Sequence, residues 1–310
     1  MAKDTSDKPS SAKARTPFIW RLLKGTLVAL LTAAVGCSAI WGLDALRRQV
    51  RLSPGYQVNS ESLRLVTGPS WMTPAILAEL EVTSLDPEFP REFSLLDEGI
   101  SARIAAAYER SLWVDRVERI VKHDPRADPQ NPPLEVFLKF RRPIAFVQVQ
   151  DGFALVDDQG VRLPGLYREP RLGAARFLVI TGVPWLTPPP GQGWDDPSLQ
   201  AGIQVASAVE PKREAFRLAS IDVSNFGYRR DRRDTEIALY TASETRIKWG
   251  KAPSSEAELL QEKTLVEKVA YLDYVYQTMH GRVDGVLAYI DVQNEVILRR
   301  STDLATRVRS

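Results

Sequence analysis

Hydrophobic and polar positions divide the chain into stretches of different period. Residues 25–43, GTLVALLTAAVGCSAIWGL, run for 19 positions without a charge. As a helix rising about 1.5 Å per residue, that run spans about 28 Å, close to the hydrocarbon thickness of a bilayer. Trp20 and Trp41 stand near its ends, where interfacial aromatics sit. Downstream the period changes repeatedly. Residues 61–66 predict a short strand, and Thr73-Pro74 opens a helix, Thr as cap and Pro at the first helical position. Ser94 and Asp97 predict the start of a second helix as a capping-box pair. Ile100, Ile104, Ala107 and Tyr108 form its apolar stripe. Residues 113–121 and 134–140 alternate as strands. The intervening HDPRADPQNPP has four prolines and no apolar period, and predicts an irregular loop.

The second half is punctuated by turns. Asp151-Gly152 lies between apolar runs 146–149 and 153–156, a strong hairpin signal. Asp158-Gln159-Gly160 predicts another turn before residues 161–163, and residues 188–193 form a Pro/Gly loop. Residues 178–180, 221–223, 235–240 and 245–249 predict strands, and residues 199–209 a helix. Residues 256–280 predict a long helix containing Lys263 and Lys268, with Leu265, Val266, Val269, Leu272, Tyr276 and Met279 as its apolar stripe. Gly281 stops it, and residues 286–292 form the last strand.

Length and charge sharpen this picture. At 310 residues there is room for about two domains. The net charge of +2 is uneven: six of the 41 basic and two of the 39 acidic side chains lie in residues 1–24, so the remainder is slightly acidic. A basic tail before an apolar run orients the N-terminus toward the cytoplasm and the bulk outside. A nearly neutral body gives no sign of a nucleic-acid surface. Ala34-Val35-Gly36-Cys37 resembles a lipobox, with Ala where Leu is usual. The apolar run continues past Cys37, which favours an uncleaved anchor. Cys37 is the only cysteine, so the outer region forms no internal disulfide.

The expected class is α+β: a single transmembrane helix, a β-α-α-β-β domain, then a mixed, mainly antiparallel β domain with a long C-terminal helix. The divisions are 1–24 tail, 25–43 span, 44–55 linker, 56–142 first domain, 143–300 second domain and 301–310 tail. This order resembles the FtsQ/DivIB cell-division proteins, whose first outer domain is a POTRA domain. Leu112-Trp113-Val114-Asp115-Arg116-Val117-Glu118-Arg119 is similar to the family's p-W-V-x-x-a-x-V start of a strand. The stretch LEVFLKFRRPIA, residues 134–145, is similar to L-x-V-x-v-x-E-R-x-P-x-A. Phe140-Arg141 stands near the acidic position, and Arg142 directly precedes Pro143. FALVDDQGVRLP resembles L-V-D-x-x-G-x-x-F, Thr181-Gly182-Val183-Pro184 resembles L-P-x-L-x-G-P, and Trp249-Gly250-Lys251 resembles x-L-G. Tyr289-Ile290-Asp291-Val292 resembles Y-V-D-L.

The resemblance implies a non-enzymatic scaffold of bacterial division in the inner (cytoplasmic) membrane, with a periplasmic bulk and a place at the septum. Its implied partners are FtsB- and FtsL-like single-span proteins, captured by strand addition at the last strand. Val286, Leu287, Ala288, Tyr289, Ile290, Asp291 and Val292 are then the partner-binding residues. Val286, Ala288, Ile290 and Val292 share one face, and Leu287, Tyr289 and Asp291 the other. Asn294 stands where family members often carry an aromatic.

Residue chemistry offers no catalytic, metal or cofactor constellation. His123 at a strand end and His280 in a last helical turn lack metal-ligand spacing. Asp157-Asp158 reads as a turn, and the cluster Arg229, Arg230, Arg232 and Arg233 as a solvated loop. Two rival functions remain: a membrane-anchored envelope hydrolase, and a POTRA-type chaperone or secretion module.

Overall fold

A computed structural model of the chain describes residues 16–65, 68–124, 126–127, 130–184, 186–251 and 262–300. Most of the basic tail, residues 252–261 and the C-terminal tail therefore lie outside the described residues. Helix α1 (Thr16–Arg51) contains the apolar run, and its stretch Leu23–Arg51 is long and apolar enough to cross a membrane. The helix extends past residue 43 because nothing breaks it before Ser53-Pro54. Arg48 pairs with Asp44 one turn back.

The first segment after α1 contains β1 (Gln57–Asn59), β2 (Arg64–Leu65), α2 (Pro74–Glu79), α3 (Val82–Leu85) and β3 (Glu92–Ser94), followed by α4 (Ile100–Glu109), β4 (Val114–Lys122) and β5 (Leu134–Phe140). Its main sheet has the order β2-β5-β4. Strand β2 runs parallel to β5, with Arg64 opposite Glu135, and β4 is antiparallel to β5. Thr73 caps α2 as the sequence predicts, accepting from Ile76 N at 3.4 Å. The second predicted helix starts at Ile100, not Ser94. Ser94 belongs to β3, which pairs with β1 so that Val58 and Phe93 are buried together. The Ser94 hydroxyl then accepts from Leu96 N in a turn. The expected stripe Ile100, Ile104, Ala107 and Tyr108 is buried against Leu134 and Val136.

The second segment contains β6 (Pro143–Val149), β7 (Gly152–Asp157), the small hairpin β8 (Arg171–Leu172) and β9 (Ala175–Arg176), and β10 (Leu178–Thr181). Then come α5 (Pro197–Val209), α6 (Arg213–Phe216), β11 (Leu218–Asp222), β12 (Ile237–Thr241) and β13 (Arg246–Gly250). It ends with α7 (Leu265–Thr278), β14 (Leu287–Asp291) and β15 (Val296–Arg299). Eight of these strands form one mixed sheet, ordered β15-β14-β13-β12-β11-β10-β6-β7. One row of paired residues crosses all of it: Ala154, Val147, Ile180, Ile221, Leu239, Ile247, Ile290 and Ile297. Every member belongs to, or packs on, a single apolar cluster with Leu199 and Ile203 of α5 and Leu272 and Val275 of α7. The neighbouring row points to the other side: Leu155, Phe146, Val179, Ser220, Tyr240, Arg246, Tyr289 and Leu298. It starts apolar and becomes polar and open.

Of the predicted 256–280 helix, residues 256–261 lie outside the described residues, and α7 itself starts at Leu265. Thr264 caps it in a reciprocal box with Glu267, so Lys263 precedes the helix. Its stripe is also different. Val266 is 79% exposed, while Lys268 is 1% exposed, its ammonium bonded to Glu262 Oε1 at 2.6 Å and Lys251 O at 3.3 Å. Gly281 does terminate the helix, donating back to Tyr276 O at 2.9 Å with φ +74°. His280 lies beyond the last turn in a left-handed conformation, not within it.

Only Arg141 and Arg142 separate β5 from β6. A third apolar cluster closes around this joint. It joins Ile76, Leu80 and Trp113 of the first segment to Phe146, Leu155 and Leu163 of the second. Arg141 fastens it: its backbone N donates to Trp113 O at 2.9 Å, and its guanidinium donates to Asp157 Oδ2 at 3.0 Å. The buried Asp157 carboxylate also accepts from the backbone N of Gln159 and Val161 at 3.0 and 2.7 Å, closing the predicted turn. Replacing Arg141 by Met leaves that carboxylate without its cation. The expected loss is about 2–3 kcal/mol, read from the midpoint of denaturant unfolding.

Candidate functional site

The strand expected at the sheet edge is not there. Strand β14, within the predicted 286–292 stretch, is paired on both sides: parallel to β13 through Ile247–Ile290, and antiparallel to β15 through Ile290–Ile297. The outer position belongs to β15, which sequence reasoning missed. Its signal was present: Gln293-Asn294 separates two apolar runs, as a hairpin turn does. The turn is closed by Asp291, whose carboxylate accepts from Asn294 N at 2.9 Å and Asn294 Nδ2 at 3.0 Å. Asn294, which stands where family members often carry an aromatic, thus serves the turn.

The expected division of faces also changes. A register irregularity between Leu287 and Tyr289 turns Leu287 inward, so Leu287, Ile290 and Val292 all enter the core. Val286 is exposed; Ala288, Tyr289 and Asp291 are half-buried. Tyr289 lies on the open row with Lys248 Nζ 5.2 Å from its ring centroid. On β15, Ile297 packs on the core while Val296 and Leu298 are 43% and 51% exposed.

Helix α7's approach segment and the 282–286 loop hold this edge in place. Lys263 Nζ donates to Val292 O at 3.1 Å and Glu295 Oε1 at 2.6 Å, and Lys263 N donates to Gln293 Oε1 at 3.2 Å. At the other end, Arg300 N donates to Val286 O at 3.0 Å and Arg300 Nη2 to Ser243 O at 2.6 Å. The buried Thr245 hydroxyl donates to Leu287 O at 2.8 Å and accepts from Gly285 N at 3.1 Å. Asp284 accepts from Ser243 N and Ser243 Oγ at 2.9 and 3.0 Å, and pairs with Arg217 at 2.9 Å. Burial works to raise the Asp284 carboxyl. Hydrogen bonds from Thr241 and Ser243, with the Arg217 charge, outweigh it and hold the group below its ordinary 3.8.

The other sequence-marked groups fall elsewhere. His123 bonds Glu135 at 3.1 Å in the first segment, far along the chain from His280. Asn225 organises the arginine loop by accepting from Arg230 N and Asp231 N, and Arg229 donates to Val223 O at 2.8 Å. Cys37 is exposed on α1. Among the described residues, no three His, Cys, Asp or Glu side chains are grouped to hold a metal ion. What the edge offers is a row of backbone donors and acceptors flanked by two exposed aliphatic side chains. No family model matches the chain, and no curated protein matches it.

Two outcomes test this reading of the edge. Lys263→Ala should speed amide hydrogen exchange across residues 296–299 by about fivefold or more, with little change in β6 and β7. Asp284→Asn should cost about 1–2 kcal/mol near neutrality. Because the folded value is depressed, that difference is full above the ordinary carboxylate value. It closes as pH falls through the lower folded value, and denaturant midpoints against pH would display it.

Proposed function

We propose that this chain is a membrane-anchored interaction scaffold of the FtsQ/DivIB type, which captures a single-span division partner by strand addition. Several features support the reading. An apolar helix of spanning length comes first. The first segment then departs from the expected β-α-α-β-β order by a third helix and the small β1–β3 pair, but keeps helices followed by β4 and β5, with β2 parallel to β5. The observation that carries the function is β15: among the described residues an outer strand with one paired side, whose outward Val296 and Leu298 are exposed. Unpaired strand groups bind an extended segment through main-chain hydrogen bonds, while alternate side chains give specificity.

In this reading the partner residue set shifts by one strand. Val286, Tyr289 and Asp291 flank the contact from β14, whereas Leu287, Ile290 and Val292 support it from the core. The ladder itself continues from β15. The FtsB- and FtsL-like identity of the partner and the septal location rest on the sequence resemblance.

A fluorescent fusion imaged in the native cell should concentrate at the division site. Uniform membrane signal throughout division would sink the proposal. Leu298→Asp should lower capture of a co-expressed FtsB-like partner by about tenfold or more without changing thermal unfolding. Capture unchanged by both Leu298→Asp and Val296→Pro would remove β15 as the site.

A further inference from the structure

A second open surface lies at the joint between the segments, remote in sequence from β15. It is a cleft of about 1290 Å³ lined by Trp71, Phe140, Phe153 and Phe177 together with charged side chains. That is larger than the ~300–1,000 Å³ usual for small-molecule pockets. Its charged lining is Arg141, Arg142, Arg176, Arg213 and Arg217 against Glu210 and Glu214.

The internal pairing leaves a definite remainder. Arg141 is held by Asp157 at 3.0 Å, and Arg217 by Asp284 at 2.9 Å. Arg213 takes both glutamates, at 3.3 and 3.6 Å. Arg142 and Arg176 are exposed and join no ion pair among the described residues. The cleft therefore presents two uncompensated guanidinium groups among aromatic surfaces. Arg176 also lies on β9, which among the described residues pairs only with β8, leaving the other side of that short strand without a strand partner there.

We infer that this cleft binds an extended acidic segment of a partner protein, with carboxylates on Arg142 and Arg176 and intervening apolar side chains on the aromatic lining. Guanidinium forks receive carboxylates in paired hydrogen bonds. The size of the cleft and the unpaired side of β9 favour a peptide over an isolated anion. Charge complementarity selects an acidic one. The inference stands apart from the proposed role of β15, because none of its residues lies on β14 or β15.

The test uses the full chain in phosphatidylcholine nanodiscs, panned against a random peptide display library. Enriched peptides should carry Asp or Glu interleaved with apolar residues, and their binding should weaken as salt is raised. Arg142→Glu/Arg176→Glu should lose them by about tenfold or more and select Lys- or Arg-bearing peptides instead. Arg142→Gln and Arg176→Gln, checked for unchanged thermal unfolding, should each give a partial loss. Absence of enrichment, enrichment without acidic bias, or equal retention by the charge-reversed variant would overturn the inference. So would capture of phosphatidylglycerol vesicles through the same arginines with no competition from the acidic peptides, which would assign them to a membrane surface. Leu298→Asp should leave peptide selection unchanged.

Discussion

One row of eight side chains holds the second segment together. From Ala154 on β7 to Ile297 on β15, each strand of the sheet contributes one apolar residue to the same side, in direct register with its neighbours. The only cysteine is on α1, so burial has to supply the cohesion that a cross-link within this segment cannot. Each fully buried Ile, Leu or Val contributes about 1.5–3 kcal/mol, which makes the row a large part of the driving force. It also fixes the register. A slip of one residue in any strand would send its member to the opposite side. The parallel joints β6–β10, β10–β11 and β13–β14 need long crossovers, and α5 and α7 lie in two of these while filling the same cluster.

The opposite row explains why the molecule has open surface where it does. Leu155, Phe146 and Val179 are met by the first segment across the joint. Beyond Val179 no apolar cluster of the described residues continues on that side, and the row turns to Ser220, Tyr240, Arg246 and Tyr289. The arginine-lined cleft lies where this cover stops, and includes Val179 and Ser220 in its lining. Cleft and outer strand are thus two consequences of one shortage. The chain has apolar cover for all of one face and only part of the other, and sheets with one solvated face tolerate this when that face is polar.

Long periodic elements were legible in the sequence, and so was the turn chemistry of Thr73, Asp157 and Gly281. Each is set by local physics: a hydroxyl or carboxylate accepting nearby backbone N–H groups, or a glycine free to take positive φ. Strands β1 and β3 escaped because three residues carry no measurable period, and their pairing is made across more than thirty residues of chain. The burial of Lys268 was illegible for a different reason. Its charge reads as solvent-facing, yet Glu262 and a backbone carbonyl satisfy it inside the protein. The motif at residues 289–292 marks β14, the strand next to the outermost. The weaker hairpin pattern that follows decides which strand is outermost.

Edges are where sheets invite unwanted pairing, and the two edges of this sheet are treated unequally. Strand β7 is shielded by its own chain: Tyr167 exchanges backbone hydrogen bonds with Phe153 at 2.8 and 2.9 Å, and Leu163 N donates to Leu155 O at 2.8 Å. Strand β15 receives no such cover among the described residues, although Lys263 and Arg300 fix its two ends. Its charges, Glu295 and Arg299, sit at the margins, leaving Val296 and Leu298 outward between them. A strand kept only as a cap would gain from a central lysine or proline, the common protections against edge pairing. This one combines a rigid mount with an unprotected middle. That is the arrangement in which a partner strand meets the least entropic cost, since the receiving ladder is already ordered.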